Sequence, residues 1–91
     1  MILQVDAGVA FFEGDLTLAQ ASHALAQGRA VLDQGVKVFD LSRVGQLDSS
    51  AISLLLSLRR HAESRGEQVE IRALSESLLS LARLYGVADQ L

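Results

Sequence analysis

The fold of this chain is decided by the stretch "VKVFDLSRVGQLDSSAISLLLSL", residues 36–58. Residues 36–42 place apolar side chains on both faces of an extended segment, which predicts a central strand that is covered on both sides. Residues 43–47 predict a short connection. From Asp48 onward the apolar residues recur at three- and four-residue spacing, which is typical of an amphipathic helix. A strand that leads into a helix within so few residues indicates an α/β protein, in which helices connect parallel strands.

The helix that begins at Asp48 has two chemically different sides. Asp48 or Ser49 is the expected N-cap, because either side-chain oxygen can accept a backbone N–H of the first turn. One side carries a broad apolar arc that we expect to pack against the sheet: Ala51, Ile52, Leu54, Leu55, Leu58 and Ala62. The opposite side carries mostly small hydroxyls where a solvated helix usually has Glu and Lys: Ser50, Ser53, Ser57, Arg60 and Ser64.

This hydroxyl-bearing side indicates a surface that another protein can approach closely. We expect its docking face to include Ser53, Ser57 and Arg60, with Asp48, Ser49 and Ser50 forming the lip at the N-terminal end. Small side chains favour such an approach because interfaces depend on complementary shape more than on hydrophobicity. The alternative is that serine is simply tolerated on this side and that nothing binds there.

The flanking sequence completes a small α/β domain. Residues 2–6 and 9–14 predict a hairpin that turns at Ala7 and Gly8, and residues 68–73 alternate strictly between apolar and polar side chains. Two further helices are predicted, one over residues 18–33 behind a Thr17–Gln20 capping box and one behind Ser75 that ends near Gly86. The order β-β-α-β-α-β-α predicts an α/β sandwich: a small mixed sheet of about four strands, with an initial hairpin and then parallel crossovers, packed with three to four helices.

The apolar sides of these two helices can also be predicted. The expected core-facing residues are Leu18, Ala21, Leu25 and Leu32 in the first helix, and Leu78, Leu81, Ala82 and Tyr85 in the last. Gly28 lies in the middle of the first helix and is expected to weaken it by about 1 kcal/mol relative to alanine.

Composition excludes several classes of protein. The 91 residues fit one domain, residues 1–91, and the absence of cysteine excludes a disulfide scaffold. The net charge of −3 without a basic cluster argues against nucleic-acid binding. The N-terminal "MILQVDAG" lacks the pattern of a signal peptide, and no apolar run reaches the roughly 20 residues that a membrane span needs. We therefore expect no direct membrane insertion.

No motif for catalysis or metal binding is present. The seven glycines are scattered singly, so neither a phosphate-binding loop nor a dinucleotide fingerprint exists. His23 and His61 lie on different predicted helices without a second ligand at metal spacing. Ser49, His61 and Asp40 contain the residue types of a hydrolase triad, but His61 lies three turns along the helix from Ser49. The sequence thus predicts no catalytic residue, no metal and no cofactor.

The segment "DLSRVGQLDSS", residues 40–50, resembles the signature of the STAS domain family. That pattern is a strand ending in Asp-Leu-Ser, a short loop, and then Asp followed by a hydroxyl residue at a helix start. The family includes anti-sigma factor antagonists and the cytoplasmic tails of sulfate transporters. The resemblance spans essentially the whole chain and implies that Ser49, the hydroxyl after the helix-start Asp48, lies at the functional contact with a partner protein.

The ending "LLSLARLYGVADQL", residues 78–91, is similar to that of small STAS subunits of phospholipid ABC transporters. This likeness implies a non-catalytic subunit that stabilises and activates the transporter's ATPase, which in turn binds an inner-membrane permease. Its location would be cytoplasmic, peripheral to the inner membrane through that partner, and its system would maintain outer-membrane lipid asymmetry.

The alternative that the resemblance implies is an anti-sigma factor antagonist. In that case a partner kinase would phosphorylate Ser49 and the added charge would displace a bound protein. Many family members have glycine two residues after the hydroxyl, whereas this chain has Ala51. This departure counts somewhat against the phosphorylation reading, and both readings use the Ser49 hydroxyl.

Overall fold

The computed structural model of the protein describes residues 1–91 and contains five strands and three α-helices. The strands are β1 (Ile2–Asp6), β2 (Val9–Leu16), β3 (Val38–Asp40), β4 (Val44–Leu47) and β5 (Glu70–Arg72). The helices are α1 (Leu18–Asp33), α2 (Ser49–Ser64) and α3 (Glu76–Leu84), followed by a 3₁₀ turn at Ala88–Gln90. The sheet order is β1-β2-β3-β5, and β4 also pairs with β2. The hairpin β1–β2 is antiparallel and every other pairing is parallel, which confirms the predicted mixed α/β sheet.

The fifth strand, β4, occupies the segment that the sequence predicted as a connection. β3 pairs only with residues 9–11 of β2, whereas β2 continues to Leu16. The edge of β2 beyond β3 is therefore free, and β4 pairs with it through Gly14↔Val44 and Leu16↔Leu47. The prediction of a loop over residues 43–47 was wrong because this pairing depends on the lengths of two distant strands.

The sheet is covered by helices on one face only. β3 is central, as predicted, and Phe39 is fully buried, with its ring 5.5 Å from that of Phe12. Its neighbours Val38 and Asp40 point to the other face and are only half-buried. The predicted cover on both sides is therefore wrong. The helices share one face because the crossovers β2-α1-β3 and β3-α2-β5 progress in the same direction across the sheet.

The two long helices approach closely at Gly28. A β-carbon added at Gly28 would lie 2.6 Å from Cδ2 of the fully buried Leu58 of α2. The buried residues of α1 are Ala24, Gly28 and Leu32, and they form the side of the helix that contains this contact. Leu18, the first residue of α1, lies outside the core and is 76 % exposed, so its predicted inward position was wrong.

The C-terminal part of the chain packs beside α2. The Ser75 hydroxyl accepts the Leu78 N–H at 3.2 Å and so caps α3 as predicted. Leu78 and Ala82 are fully buried, but Tyr85 follows the helix as its C-cap and is 56 % exposed, so its predicted core position was wrong. The residues after it that pack against the core are Val87, Ala88 and Leu91.

Two alanines have a left-handed backbone. Ala7 has φ 51° in the hairpin turn, directly before Gly8, and Ala73 has φ 61° between β5 and α3. Residues with a β-carbon adopt this region reluctantly, because the β-carbon approaches the following carbonyl oxygen. Both alanines are exposed at the surface.

Candidate docking surface

Asp48 is the N-cap of α2 and also contacts α1. Its Oδ1 accepts the Ser50 N–H at 2.8 Å, within the first turn of α2. Its Oδ2 accepts the Leu18 N–H at 3.0 Å, within the first turn of α1. The sequence predicted the first bond, because Asp is a preferred N-cap residue. The second joins residues 30 positions apart, so no local pattern indicates it.

These two donors favour the charged form of the carboxyl group. The hydrogen bond from the Leu18 backbone, together with that from the Ser50 backbone, holds the pKa of Asp48 below its ordinary value. The N-terminal ends of both helices therefore meet at a carboxylate that is ionised at neutral pH.

Ser49 is the first residue of α2, and its side chain is exposed. It lies at the mouth of a shallow cleft between α2 and the C-terminal segment. The cleft contains no charged side chain and is lined by Ser49, Ile52, Ser53, Leu56, Tyr85 and Val87. Sequence reasoning missed the contribution of Leu56, Tyr85 and Val87, because the contact between α2 and the C-terminus is not local.

The other predicted hydroxyl residues divide between two environments. Ser53 and Arg60 are exposed, whereas Ser50 and Ser57 are half-buried. A second uncharged groove, between α1 and α2, is lined by Leu18, Ala21, Ser22, Leu25, Ser50, Ser53, Leu54 and Ser57. The hydroxyl-bearing side is thus not one flat face. Ser53 lies on the ridge between the two grooves and lines both.

A cluster of charged side chains lies at the opposite end of this helix pair. The Arg65 Nη1 donates to Asp33 Oδ1 at 2.6 Å, and His61 Nε2 lies 2.9 Å from the same oxygen. Arg65 Nε also donates to Glu67 Oε1 at 3.1 Å. The hydrogen bond with His61, aided by the Arg65 charge, lowers the pKa of Asp33. The C-terminal ends of α1 and α2 are therefore also linked through one carboxylate.

The residue types of a hydrolase triad are not brought together. His61 is paired with Asp33, and Asp40 accepts the Ser42 N–H at 2.7 Å in a tight turn. The hydrogen bonds from Ser42 hold the pKa of Asp40 low. No group of three or more His, Asp or Glu side chains could hold a metal ion, and none of the helices is long and apolar enough to cross a membrane.

Comparison with known proteins gives one family match and two similar curated proteins. The family described as "Mlab, STAS domain" matches residues 5–91. The chain is 33 % identical over 54 residues to the intermembrane phospholipid transport system binding protein MlaB of Escherichia coli (strain K12), and equally to that of Shigella flexneri. Each alignment spans 59 % of this chain and 56 % of the relative, so the similarity covers a little over half of each curated protein.

Solved structures show the same fold. A sulfate transporter family protein from Wolinella succinogenes superposes with a TM-score of 0.65 at 24 % identity, covering 96 % of this chain and 74 % of that one. The unphosphorylated anti-sigma factor antagonist SpoIIAA superposes with a TM-score of 0.57 at 17 % identity, covering 93 % and 97 %. At these identities the likeness concerns the fold alone. Because the family match spans nearly every residue, the chain belongs to the MlaB-type STAS domain family.

Proposed function

We propose that this chain is a non-catalytic regulatory and stabilising subunit of an ABC transporter that moves phospholipids between membranes and maintains outer-membrane lipid asymmetry. The observation that carries the proposal is the family match over residues 5–91, together with 33 % identity to proteins named as MlaB of an intermembrane phospholipid transport system. In this proposal the chain is cytoplasmic. It binds the transporter's ATPase and through it becomes peripheral to the inner membrane, where the permease lies.

The N-terminal end of α2 is the proposed contact with the ATPase. Ser49 is exposed there, and the cleft beside it is lined only by uncharged residues. A partner can cover this cleft without desolvating a charged side chain. Ser50, Ser53, Ser57 and Arg60 extend this surface along the helix, partly as walls of the adjoining groove. Binding here would activate the ATPase to the extent that its active conformation binds more tightly than its inactive one.

The proposed test is the substitution Ser49→Arg, measured by copurification with the ATPase and by titration of the purified partners. The new side chain would obstruct the lip, while Asp48 would still cap α2. The fold should therefore survive, since a positive charge in the first turn costs only about 0.3–1 kcal/mol. We expect the Ser49→Arg protein to lose ATPase binding while its circular dichroism spectrum remains unchanged.

Ser64→Arg is the matched control for this test. Ser64 is also exposed on α2, but at the opposite end of the helix, and the change in charge is identical. We expect this variant to bind like the wild type. A folded Ser49→Arg protein that binds as well as Ser64→Arg would contradict the proposed contact.

Capture of the protein from its native cells distinguishes an anti-sigma factor antagonist from a transporter subunit. A captured antagonist would carry phosphate on Ser49 and would bring a kinase in place of an ABC ATPase and permease. Mass spectrometry of both partners and of Ser49 distinguishes the two outcomes. An unmodified Ser49 together with the transporter proteins would support the transporter subunit.

A further inference from the structure

A single carboxylate links the starts of two helices that are far apart in sequence. The two oxygens of Asp48 accept separate backbone donors, one from Leu18 in α1 and one from Ser50 in α2. The bond to Ser50 is local and caps α2. The bond to Leu18 crosses to another element.

The link to α1 is additional to the local capping of that helix. Gln20 Oε1 accepts the Thr17 N–H at 3.0 Å, and the Gln20 N–H is bonded to the Thr17 carbonyl oxygen at 3.0 Å. The start of α1 is thus stabilised within its own first turn. The bond from Leu18 to Asp48 instead joins that start to α2.

The paired strands β2 and β4 end at Leu16 and Leu47, directly before the two helices, and beyond them the bond from Leu18 to Asp48 is the one side-chain hydrogen bond between the two helix starts. The close contact of Gly28 with Leu58 lies in the middle of both helices, and the Asp33 cluster joins their opposite ends. Near Asp48 the helices are separated by the groove whose walls include Ala21, Ser22 and the exposed Leu18. Without the Asp48 bond, only the β2–β4 pairing and the walls of the groove would hold the first turn of α1 near Ser49.

We infer that Asp48 is a positioning residue: by bonding both helix starts it fixes the Ser49 lip relative to α1, so that a partner meets one preformed surface. This inference rests on the proposed function, because it assumes that Ser49 is where the ATPase docks. Preformation strengthens binding because the partner does not have to order the surface on contact. The carboxylate itself need not touch the partner.

The test is the substitution Asp48→Asn, compared with Asp33→Asn. Asparagine is also a good N-cap and keeps one acceptor oxygen for the Ser50 N–H, but its amide nitrogen cannot accept the bond from Leu18. Asp33→Asn weakens the link between the same two helices at their far ends. If only general stability mattered, both variants would bind the ATPase alike.

We expect Asp48→Asn to raise the dissociation constant for the ATPase about tenfold, whereas Asp33→Asn leaves it within about twofold of the wild type. Native-state hydrogen exchange should show faster exchange of the Leu18 amide in Asp48→Asn, with the Ser50 amide little changed. Asp48→Ser is the second variant, since its shorter side chain can cap α2 but cannot also reach Leu18. Asp48→Ser should give the same pattern, and it takes the place of Asp48→Asn in the test if that variant folds poorly.

The outcomes separate this inference from the proposed function. If wild-type protein fails to bind the ATPase, both fall. If the wild type binds and Ser49→Arg does not, but Asp48→Asn binds like the wild type despite faster Leu18 exchange, the positioning role is wrong and the proposed function stands. Equal weakening by Asp48→Asn and Asp33→Asn would also overturn the positioning role.

Discussion

A single methyl group added at Gly28 of α1 would meet a fully buried side chain. Its substitution by alanine favours the helix by about 1 kcal/mol. The added β-carbon would, however, lie 2.6 Å and 3.0 Å from the two Cδ atoms of Leu58. Leu58 is fully buried and has little space to move, and overpacking of this kind costs about 1–3 kcal/mol.

We therefore predict that Gly28→Ala lowers the free energy of unfolding by about 1 kcal/mol, as measured by urea denaturation. The control is a double-mutant cycle with Leu58→Ala, which removes the obstructing atoms. The two substitutions should be coupled, so that Gly28→Ala is tolerated better in the Leu58→Ala background. A more stable Gly28→Ala protein would mean that Leu58 repacks freely.

At the residue scale, the sequence predicts roles that depend on neighbours along the chain. The Asp48 cap, the Ser75 cap and the Thr17–Gln20 arrangement were all predictable, because each joins residues within one helical turn. The reason for Gly28 was not, since it lies in a side chain of another helix. Ser49 as a docking residue is still a prediction that rests on family resemblance and exposure.

Among the elements, β4 depends most on a contact between distant parts of the chain. The Gln46 N–H donates to Asp15 Oδ1 at 2.8 Å, and a β-carbon at Gly45 would lie 2.6 Å from that same oxygen. Glycine at position 45 thus allows the Asp15 carboxylate to reach the backbone of β4. The strand ends one residue before Asp48, so its placement also determines where α2 begins.

We predict that Gly45→Ala displaces Asp15, weakens the pairing of β4 with β2 and lowers the free energy of unfolding by about 1 kcal/mol, the net contribution of one hydrogen bond. Amide exchange at Gln46 should become faster. Asp15→Ala removes the acceptor directly and should have a similar effect. The double variant should be about as stable as the less stable single variant, because both substitutions remove the same hydrogen bond. If the two losses of free energy of unfolding were additive, the substitutions would act through different contacts.

The elements with clear local sequence patterns were predictable, whereas β4, which is defined only by its pairing, was not. α1 and α2 begin where the caps predict them, because capping and periodicity are local properties. β4 contains only Val44 and Leu47 as apolar residues, too few to distinguish a strand from a loop. Its presence follows from the greater length of β2 relative to β3, which only the assembled sheet reveals.

For the molecule as a whole, four carboxyl groups respond to acid in the same direction. Asp33, Asp40, Asp48 and Glu67 all have a pKa below the ordinary values of 3.8 for Asp and 4.5 for Glu, chiefly because they accept hydrogen bonds. The unfolded chain therefore binds protons more readily than the folded one. The stabilisation from these groups is fully present above their unfolded pKa values and is lost as pH falls through the lower folded values.

We predict that the free energy of unfolding falls as pH is lowered below about 4, with no such loss from these groups between about pH 6 and 7. Urea denaturation at several pH values would measure this. In Asp33→Asn the dependence should be shallower, because one of the four groups no longer titrates. A protein that becomes more stable in acid would contradict the assignment.

At this scale the sequence was most informative. The fold class and the mixed character of the sheet followed from the order of local patterns and from short-connection and handedness rules. The sequence did not predict that helices cover only one face of the sheet, because apolar residues on both sides of β3 suggested two layers of helices. The half-buried Val38 shows instead that one apolar residue can lie on an open face beside its neighbouring strands.

The left-handed alanines at positions 7 and 73 indicate how far this domain is from its maximum stability. Glycine adopts such a conformation freely, whereas alanine holds it at a cost of about 1 kcal/mol, and the surrounding structure maintains it all the same. Replacing either exposed alanine with glycine would therefore remove this backbone strain. Selection tolerates such destabilising features once a protein is stable enough to function. Stabilising substitutions thus remain open to this domain at positions 7 and 73, and they could offset destabilising changes at its functional surface.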